Sequence, residues 1–233
     1  MTLDASIAFS ARTTGSLPSG GSDASQRVGA AYRFYALAYA PLALLNMLTV
    51  WRAALGPLVR FYREALEGHP EPVLDVAIGD GSLTAIVRRR LVVDPVLIGL
   101  DISEEMLTRA VRRLGRERFR PVRGDARCLP FPPASFDRVC CFGGLHVIPF
   151  PEQALASMAR VLRPRGTFFA SVLLRPRGWW PRRLAERYVE LGLLSTLFEP
   201  AALRTALQQA GLLPVREIRN GRMLLIECQK PAS

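Results

Sequence analysis

Apolar positions along this chain follow two periods. From Val28 to Leu66, the residues Tyr32, Tyr35, Tyr39, Leu42, Leu45 and Leu48 recur at steps of three and four, the spacing of an amphipathic helix. Pro41 and Gly56-Pro57 divide this region into two or three helices, because proline inside a helix removes a hydrogen bond and clashes with the preceding turn. Beyond it, short apolar runs near 72–77, 96–101, 119–123, 137–142 and 166–174 read as strands. Helical patterns fall between them, near 82–92, 103–114 and 151–162. Ser103, followed by Glu104 and Glu105, has the side chains of a helix start. A last helix starts after Pro200 and stops at Gly211. Two final strands, near 213–218 and 222–229, flank Asn220-Gly221, a hairpin signal. The alternation predicts an α/β fold. Residues 1–26 are rich in Ser, Gly, Thr and Ala and have no period, so they read as a disordered tail. Residues 27–233 then form one domain, with 27–66 as a helical N-terminal lid and 175–198 as a second lid element inserted after the fifth strand.

The densest chemical signal is Val73-Leu74-Asp75-Val76-Ala77-Ile78-Gly79-Asp80-Gly81, followed twenty residues after Gly81 by Asp101. An apolar strand ends in an acidic residue and a tight glycine turn, and a helix opens at Ser82. A second strand ends in Asp101. This is a βαβ unit whose first turn can approach a nucleoside through backbone and whose second strand ends on a ribose. The helix start adds N–H groups and partial positive charge. The glycines do not follow the G-x-G-x-x-G spacing, which argues against a dinucleotide.

VLDVAIGDG resembles the first motif of class I S-adenosylmethionine (SAM) dependent methyltransferases, VLDxGxGxG. Gly99-Leu100-Asp101-Ile102-Ser103, Gly124-Asp125-Ala126, Phe136-Asp137-Arg138-Val139 and Arg160-Val161-Leu162-Arg163-Pro164-Arg165-Gly166-Thr167 follow in the order of that family's later motifs. The resemblance spans roughly residues 70–174 and is nearest to the branch holding ubiquinone and menaquinone methyltransferases. It implies a Rossmann-like fold with a mostly parallel seven-stranded sheet and an antiparallel last strand. Two departures stand out. Ala77 replaces a usual glycine, and Tyr35-Ala36 and Tyr39-Ala40 stand where relatives often have Tyr-Asp.

Carried over residue by residue, the resemblance implies that Asp75, Ala77, Gly79 and Gly81 face the methionine and ribose parts of SAM. Asp101 would bind the ribose hydroxyls. Ile102 and Met106 would pack on adenine or belong to the core. Asp125, beside Ala126, would accept from the adenine amino group. Cys141, Phe142 and Gly143, with Gly144, would line the sulfonium. Asp75 has a second reading as the cap of the helix opening at Ser82. Methyl transfer needs mainly alignment and exclusion of water, with a base only where the acceptor must lose a proton. His146, in Leu145-His146-Val147-Ile148, is the one imidazole near that mouth and reads either as that base or as a structural residue bonded to a loop carbonyl. His69 reads as surface.

Composition narrows the function further. Hydrophobic residues make up 49% of 233, enough for a core, and no apolar run reaches the ~18 residues of a membrane span. The start lacks a basic segment followed by an apolar stretch, which speaks against a secretory signal and for a cytoplasmic protein. Four cysteines without C-x-x-C spacing and only two histidines point to reduced thiols and no metal site. The net charge is +11, and the only lysine is Lys230. Residues 109–123 hold seven arginines and one glutamate, and 160–187 hold eight and one. These patches read either as solvated surface or as contacts for anionic lipid, nucleic acid or an acidic substrate. Trp179-Trp180 among arginines suits a substrate lid, a membrane interface or a plug at the core edge. No Asn/Asp-Pro-Pro-Tyr motif of base methylases occurs. The expectation is methyl transfer from SAM to a small apolar acceptor such as a quinone or isoprenoid precursor, a polyketide-like metabolite or a lipid. Peripheral contact with an anionic membrane is a further expectation. The rivals are a nucleic-acid methyltransferase and a SAM-binding fold with another role.

Overall fold

The computed structural model describes residues 45–232. The expected tail and the first part of the lid, residues 1–44, which include Tyr35-Ala36 and Tyr39-Ala40, lie outside the described residues. Residues 45–49 are helical, and the chain then runs through α1 (Leu55–Leu66), β1 (Val73–Val76), α2 (Ser82–Arg88), β2 (Leu97–Asp101), α3 (Glu104–Leu114) and β3 (Phe119–Arg123). A short turn of 3-10 helix (Ala126–Cys128) leads to β4 (Phe136–Phe142), α4 (Pro151–Val161) and β5 (Leu162–Leu173). The chain ends with α5 (Trp179–Glu190), α6 (Pro200–Gln209), β6 (Leu213–Asn220) and β7 (Met223–Gln229).

The seven strands form one sheet in the order β3-β2-β1-β4-β5-β7-β6. Strands β1 to β5 pair in parallel, and β7 inserts antiparallel between β5 and β6. The predicted mostly parallel sheet with an antiparallel last strand is therefore the sheet observed. The strand order reverses between β1 and β4, and a crevice at that switch point is where open α/β sheets bind ligands. One apolar core joins the sheet to α4 and α6, with Leu155, Met158, Phe168 and Leu203 buried. The other joins it to α1, α2, α3 and α5, with Phe61, Val87, Ala110, Phe119 and Ala185 buried.

Ser103 caps α3 as its sequence predicts, its Oγ accepting from the Met106 N–H at 3.3 Å. Three local expectations shift. The helix opening at Ser82 ends at Arg88 and not near residue 92, because Glu67 Oε1 accepts from the N–H groups of Val92 and Val93 at 3.0 and 3.1 Å. Strand β5 starts early, at Leu162, and its register against β4 jumps between Phe136 and Arg138, across the turn containing Arg165 at φ 62°. The hairpin loop is Gly221-Arg222 and not Asn220-Gly221, since Asn220 still pairs with Met223. Asn220 stays in the strand because its side-chain amide bonds the Ala54 backbone twice, accepting at 2.9 Å and donating at 2.7 Å.

Gly221 has φ 63°, and a Cβ built there would lie 2.0 Å from the Arg52 carbonyl oxygen. Both the left-handed backbone and the close approach require glycine. Gly221→Ala should therefore destabilise the fold by at least about 2 kcal/mol in chemical denaturation. A change within experimental scatter would mean that the 51–54 segment does not pack on this hairpin.

Candidate active site

The carboxyl ends of β1, β2 and β4 bring most of the sequence-selected residues together. Parallel register aligns Asp75 with Gly99 and with Cys140. Beyond β1 the backbone is left-handed at alternate residues: Ala77 at φ 58°, Gly79 at 62° and Gly81 at 71°. That explains why glycine is usual at the position of Ala77, where a side chain costs roughly 1–2 kcal/mol. The Ala77 methyl is accommodated by Gly144 in the β4–α4 loop, where an added Cβ would approach Ala77 Cβ and Cys141 Sγ to 2.7 Å. Gly79 and Gly143 face open space.

Asp101 holds this turn. Its Oδ2 accepts from the Gly79 N–H at 2.9 Å, and its Oδ1 accepts from the Ser103 N–H at 2.9 Å. Burial pushes the Asp101 carboxyl up, while the N–H groups of Ser103, Gly79 and Ile102 pull it down. Ile102 is 40% exposed beside it, whereas Met106, one turn into α3, is buried.

Asp75 is buried beneath the turn and accepts a hydrogen bond from the Tyr62 hydroxyl of α1, which also lies 3.1 Å from Thr84 Oγ1. Tyr62 stacks on Phe142 at the end of β4, with ring centroids 4.0 Å apart. Burial raises the Asp75 carboxyl to about 7, with the Tyr62 hydrogen bond pulling down and the Asp101 charge pushing up. Tyr62 keeps its proton, its phenol pushed well above the usual range by burial and by Asp75. Asp75 is not the cap of α2. The cap position is Gly81, and Asp80 before it accepts from the Ser82 N–H at 3.0 Å and from Ser82 Oγ at 2.8 Å and pairs with Arg113 at 2.8 Å. Burial acts to raise Asp80, but these partners outweigh it and hold the carboxyl below its ordinary value.

Asp125 begins the 3-10 turn after β3, next to buried Ala126, and the preceding Gly124 N–H donates to the Asp101 carbonyl at 3.0 Å. The Arg127 guanidinium clamps its carboxylate, Nε lying 3.0 Å from both oxygens and Nη2 2.6 Å from Oδ2. The Arg127 backbone N–H also donates to Oδ1 at 2.9 Å, so this one arginine already occupies both carboxylate oxygens. Cys141 and Phe142 are buried at the end of β4, and the Gly143 N–H donates to Ser171 Oγ of β5 at 2.9 Å.

His146 follows in the β4–α4 loop and is buried, its Nδ1 without a partner among the described residues. Its carbonyl accepts from Ser195 and Thr196 N–H at 2.8 and 3.3 Å, so the 175–198 insertion closes onto this loop. Burial lowers the imidazole to about 4, making it a far weaker base than an ordinary histidine. His69 is half-buried and not fully on the surface, with Nε2 enclosed. Trp179 and Trp180 are 81% and 50% exposed, so they do not plug the core edge. Sequence reasoning missed Tyr62, Asp80 and Arg127. Only Arg127 left a local signal, an arginine two residues after a turn-initiating aspartate.

Comparison with known proteins agrees with this geometry. The family described as "Methyltransferase domain" matches residues 74–170, from β1 into β5. Residues 74–170 are a class I SAM-dependent methyltransferase domain. The demethylmenaquinone methyltransferase of Deinococcus radiodurans is 39% identical over 105 residues, 44% of this chain and 43% of that protein. An uncharacterized chloroplastic methyltransferase of Arabidopsis thaliana is 28% identical over 199 residues, 78% of this chain and 55% of its own. The chain thus spans about half the length of these curated relatives. Among solved structures, the [4+2]-cyclase SpnF superposes with a TM-score of 0.66 at 18% identity, over 90% of this chain and 97% of its own. SAM is the cofactor of this domain family and fold. The site fits it, with a carboxylate at the end of β2, a left-handed turn open above Gly79, and buried Asp75 beside half-buried Asp101, two acids suited to a cationic ligand.

The buried acid yields a prediction on stability alone. Unfolded, Asp75 titrates near 3.8, and folded near 7. The folded state holds the extra proton between these values. This group therefore stabilises the fold fully below about pH 4, and its contribution is lost as pH rises to about 7. Denaturation midpoints of Asp75→Asn, which keeps an acceptor for Tyr62, should fall less steeply across that window than those of the wild type. Equal slopes would contradict the buried titration.

Proposed function

We propose that this chain transfers the methyl group of SAM to an apolar small molecule bearing a hydroxyl, of the quinol or polyphenol kind. One observation carries the reaction: the Asp101 carboxylate fixed by the Gly79 and Ser103 N–H groups at the mouth of the βαβ unit. SAM supplies a methyl group already activated by a positive sulfur. Asp101 would hold the ribose hydroxyls, and Asp75 would meet the amino-acid end directly or through water. The turn 77–81 would approach through backbone, Ile102 and Asp125 would flank the adenine, and Cys141 to Gly144 would leave room at the sulfur.

Support for an apolar acceptor comes from the composition of the segments near His146. Phe142, Leu145, Val147, Leu174 and Leu197 are apolar and lie at the ends of β4 and β5 and in the closing insertion, Leu145 and Leu174 in one core and Phe142, Val147 and Leu197 in the other. The demethylmenaquinone methyltransferase relative points the same way. His146 fits an orienting role better than a basic one. Moving a proton from a phenol of pKa about 10 onto an imidazole near 4 is uphill by about 8 kcal/mol. A neutral imidazole can instead accept a hydrogen bond from the acceptor hydroxyl and aim the nucleophile; the sulfur–methyl bond breaks as the acceptor–methyl bond forms, S-adenosylhomocysteine leaves, and the acceptor's proton passes to water. The SpnF likeness marks the rival reading, since one fold hosts several reactions. Formation of S-adenosylhomocysteine from SAM on addition of reduced quinones or polyphenols decides between them, and cofactor binding without turnover over any such acceptor would favour the rival.

Two variants test the roles. Asp101→Ala should weaken SAM binding by roughly 1–3 kcal/mol in calorimetry, because the ribose loses its charged acceptor and the turn loses its tether. Wild-type affinity would remove Asp101 from the site. His146→Ala should lower kcat for a hydroxylated acceptor by about 10- to 100-fold with SAM affinity unchanged. The wild-type rate should show no histidine break between pH 6 and 8, since the imidazole is already neutral there. A break near the ordinary histidine value would restore a general base.

A further inference from the structure

Two tryptophans stand in solvent at the start of α5. Trp179 is 81% exposed and Trp180 50%, although indoles are the most costly side chains to leave in water. Helical spacing puts Arg183 and Arg187 four and eight residues after Trp179, on the same face. Pro181 and Ala185 are buried on the opposite side. Beside Trp179 lies a cleft of about 470 Å³, walled by Arg175, Arg177, Arg182 and Glu199.

The charge here is not internally neutralised. Residues 175–199 contain five arginines and three glutamates. Glu199 pairs with Arg175 at 3.1 Å, Glu186 with Arg182 at 2.8 Å and Glu190 with Arg187 at 2.9 Å. Arg177 and Arg183 make no ion pair among the described residues. The other arginine-rich stretch also carries unpaired charge. There Arg109, Arg113 and Arg123 pair with Glu105, Asp80 and Glu104, while Arg112, Arg116, Arg118 and Arg120 make no ion pair among the described residues, so what sets α5 apart is the exposed tryptophan pair beside its arginines.

We propose that this face of α5 docks on an anionic lipid bilayer, the indoles entering the interface and the arginine cleft receiving headgroup phosphates. Charge complementarity selects an anionic surface, and the apolar part selects lipid over nucleic acid. Leu191 at the end of α5 is exposed, as are Leu45 and Leu48 on the helical segment that Tyr188 ties to α5 through Asn46 at 2.7 Å. Leucines gain from acyl chains and cannot stack on bases. The placement deepens the reading of an apolar acceptor, on which it rests for its purpose. α5 follows the carboxyl end of β5, and the segment after it closes on His146. A docked chain would therefore present its acceptor side to the phase where an apolar acceptor dissolves.

The test is co-sedimentation of the full chain with phosphatidylcholine vesicles, with and without about one-third phosphatidylglycerol, at low and physiological ionic strength. It involves no methyl transfer, so its failure and that of the acceptor reading are separable. Anionic vesicles should be preferred by about 10-fold or more, the preference weakening with salt. Trp51 is already buried, so a blue shift of tryptophan emission on binding reports Trp179 and Trp180. Trp179→Ala with Trp180→Ala should remove the shift and weaken binding about 10-fold. Arg177→Glu with Arg183→Glu should weaken binding as much, while the matched reversal Arg112→Glu with Arg116→Glu should leave it within about 2-fold. Melting temperatures of all variants check folding. Negligible binding to both vesicles, equal losses in both charge reversals, or preference for duplex DNA would each overturn the proposal.

Discussion

The site depends on a turn that few residues can make. Between β1 and α2 the backbone is left-handed at Ala77, Gly79 and Gly81, each separated by one ordinary residue. Such a path needs something to hold it, and the Ile78 N–H already bonds the Leu100 carbonyl of β2 at 3.2 Å. Asp101 holds it further from the neighbouring strand through the Gly79 N–H. The parallel register of β1 and β2, which sets Val76 beside Leu100, puts that carboxylate where it is needed. The sheet order, the glycines and the acid form one device, and the rest of the fold keeps it rigid.

Electrostatics single out the same place. In a chain of net charge +11, with most described acids paired to arginines at the surface, Asp75 and Asp101 are held without a basic partner. Burial disfavours their ionised forms, and the Asp101 charge pushes the Asp75 carboxyl up further. Uncompensated buried acids cost stability unless a cation arrives. On the proposed reading, a ligand carrying an ammonium and a sulfonium would supply that cation, so the same feature would favour the cofactor. Tyr62 tempers the cost by donating to Asp75.

Much of this was legible in the chain itself. The strands stood out because buried parallel strands are short unbroken apolar runs, and the first motif stood out because a left-handed turn forces glycine. The Ser103 cap was readable since capping is local. What escaped depends on partners distant in sequence. Tyr62 sits on an apolar helix face, and nothing nearby announces that its hydroxyl ends on Asp75. The hairpin slipped by one residue because Asn220 is claimed by Ala54. The helix opening at Ser82 ended early because Glu67 takes the amides that would have prolonged the chain's helical pattern. Of the two readings of His146, base or structural residue, burial disfavours the base, and burial is a property of the fold and not of the four residues around it.

The most direct measurement is a crystal structure with S-adenosylhomocysteine. The account predicts both ribose hydroxyls within hydrogen-bond distance of the Asp101 carboxylate, the amino-acid end over residues 75–81 and the sulfur beside Cys141 to Gly144. Ligand bound away from the β1–α2 turn, or bound there with its ribose turned from Asp101, would contradict it.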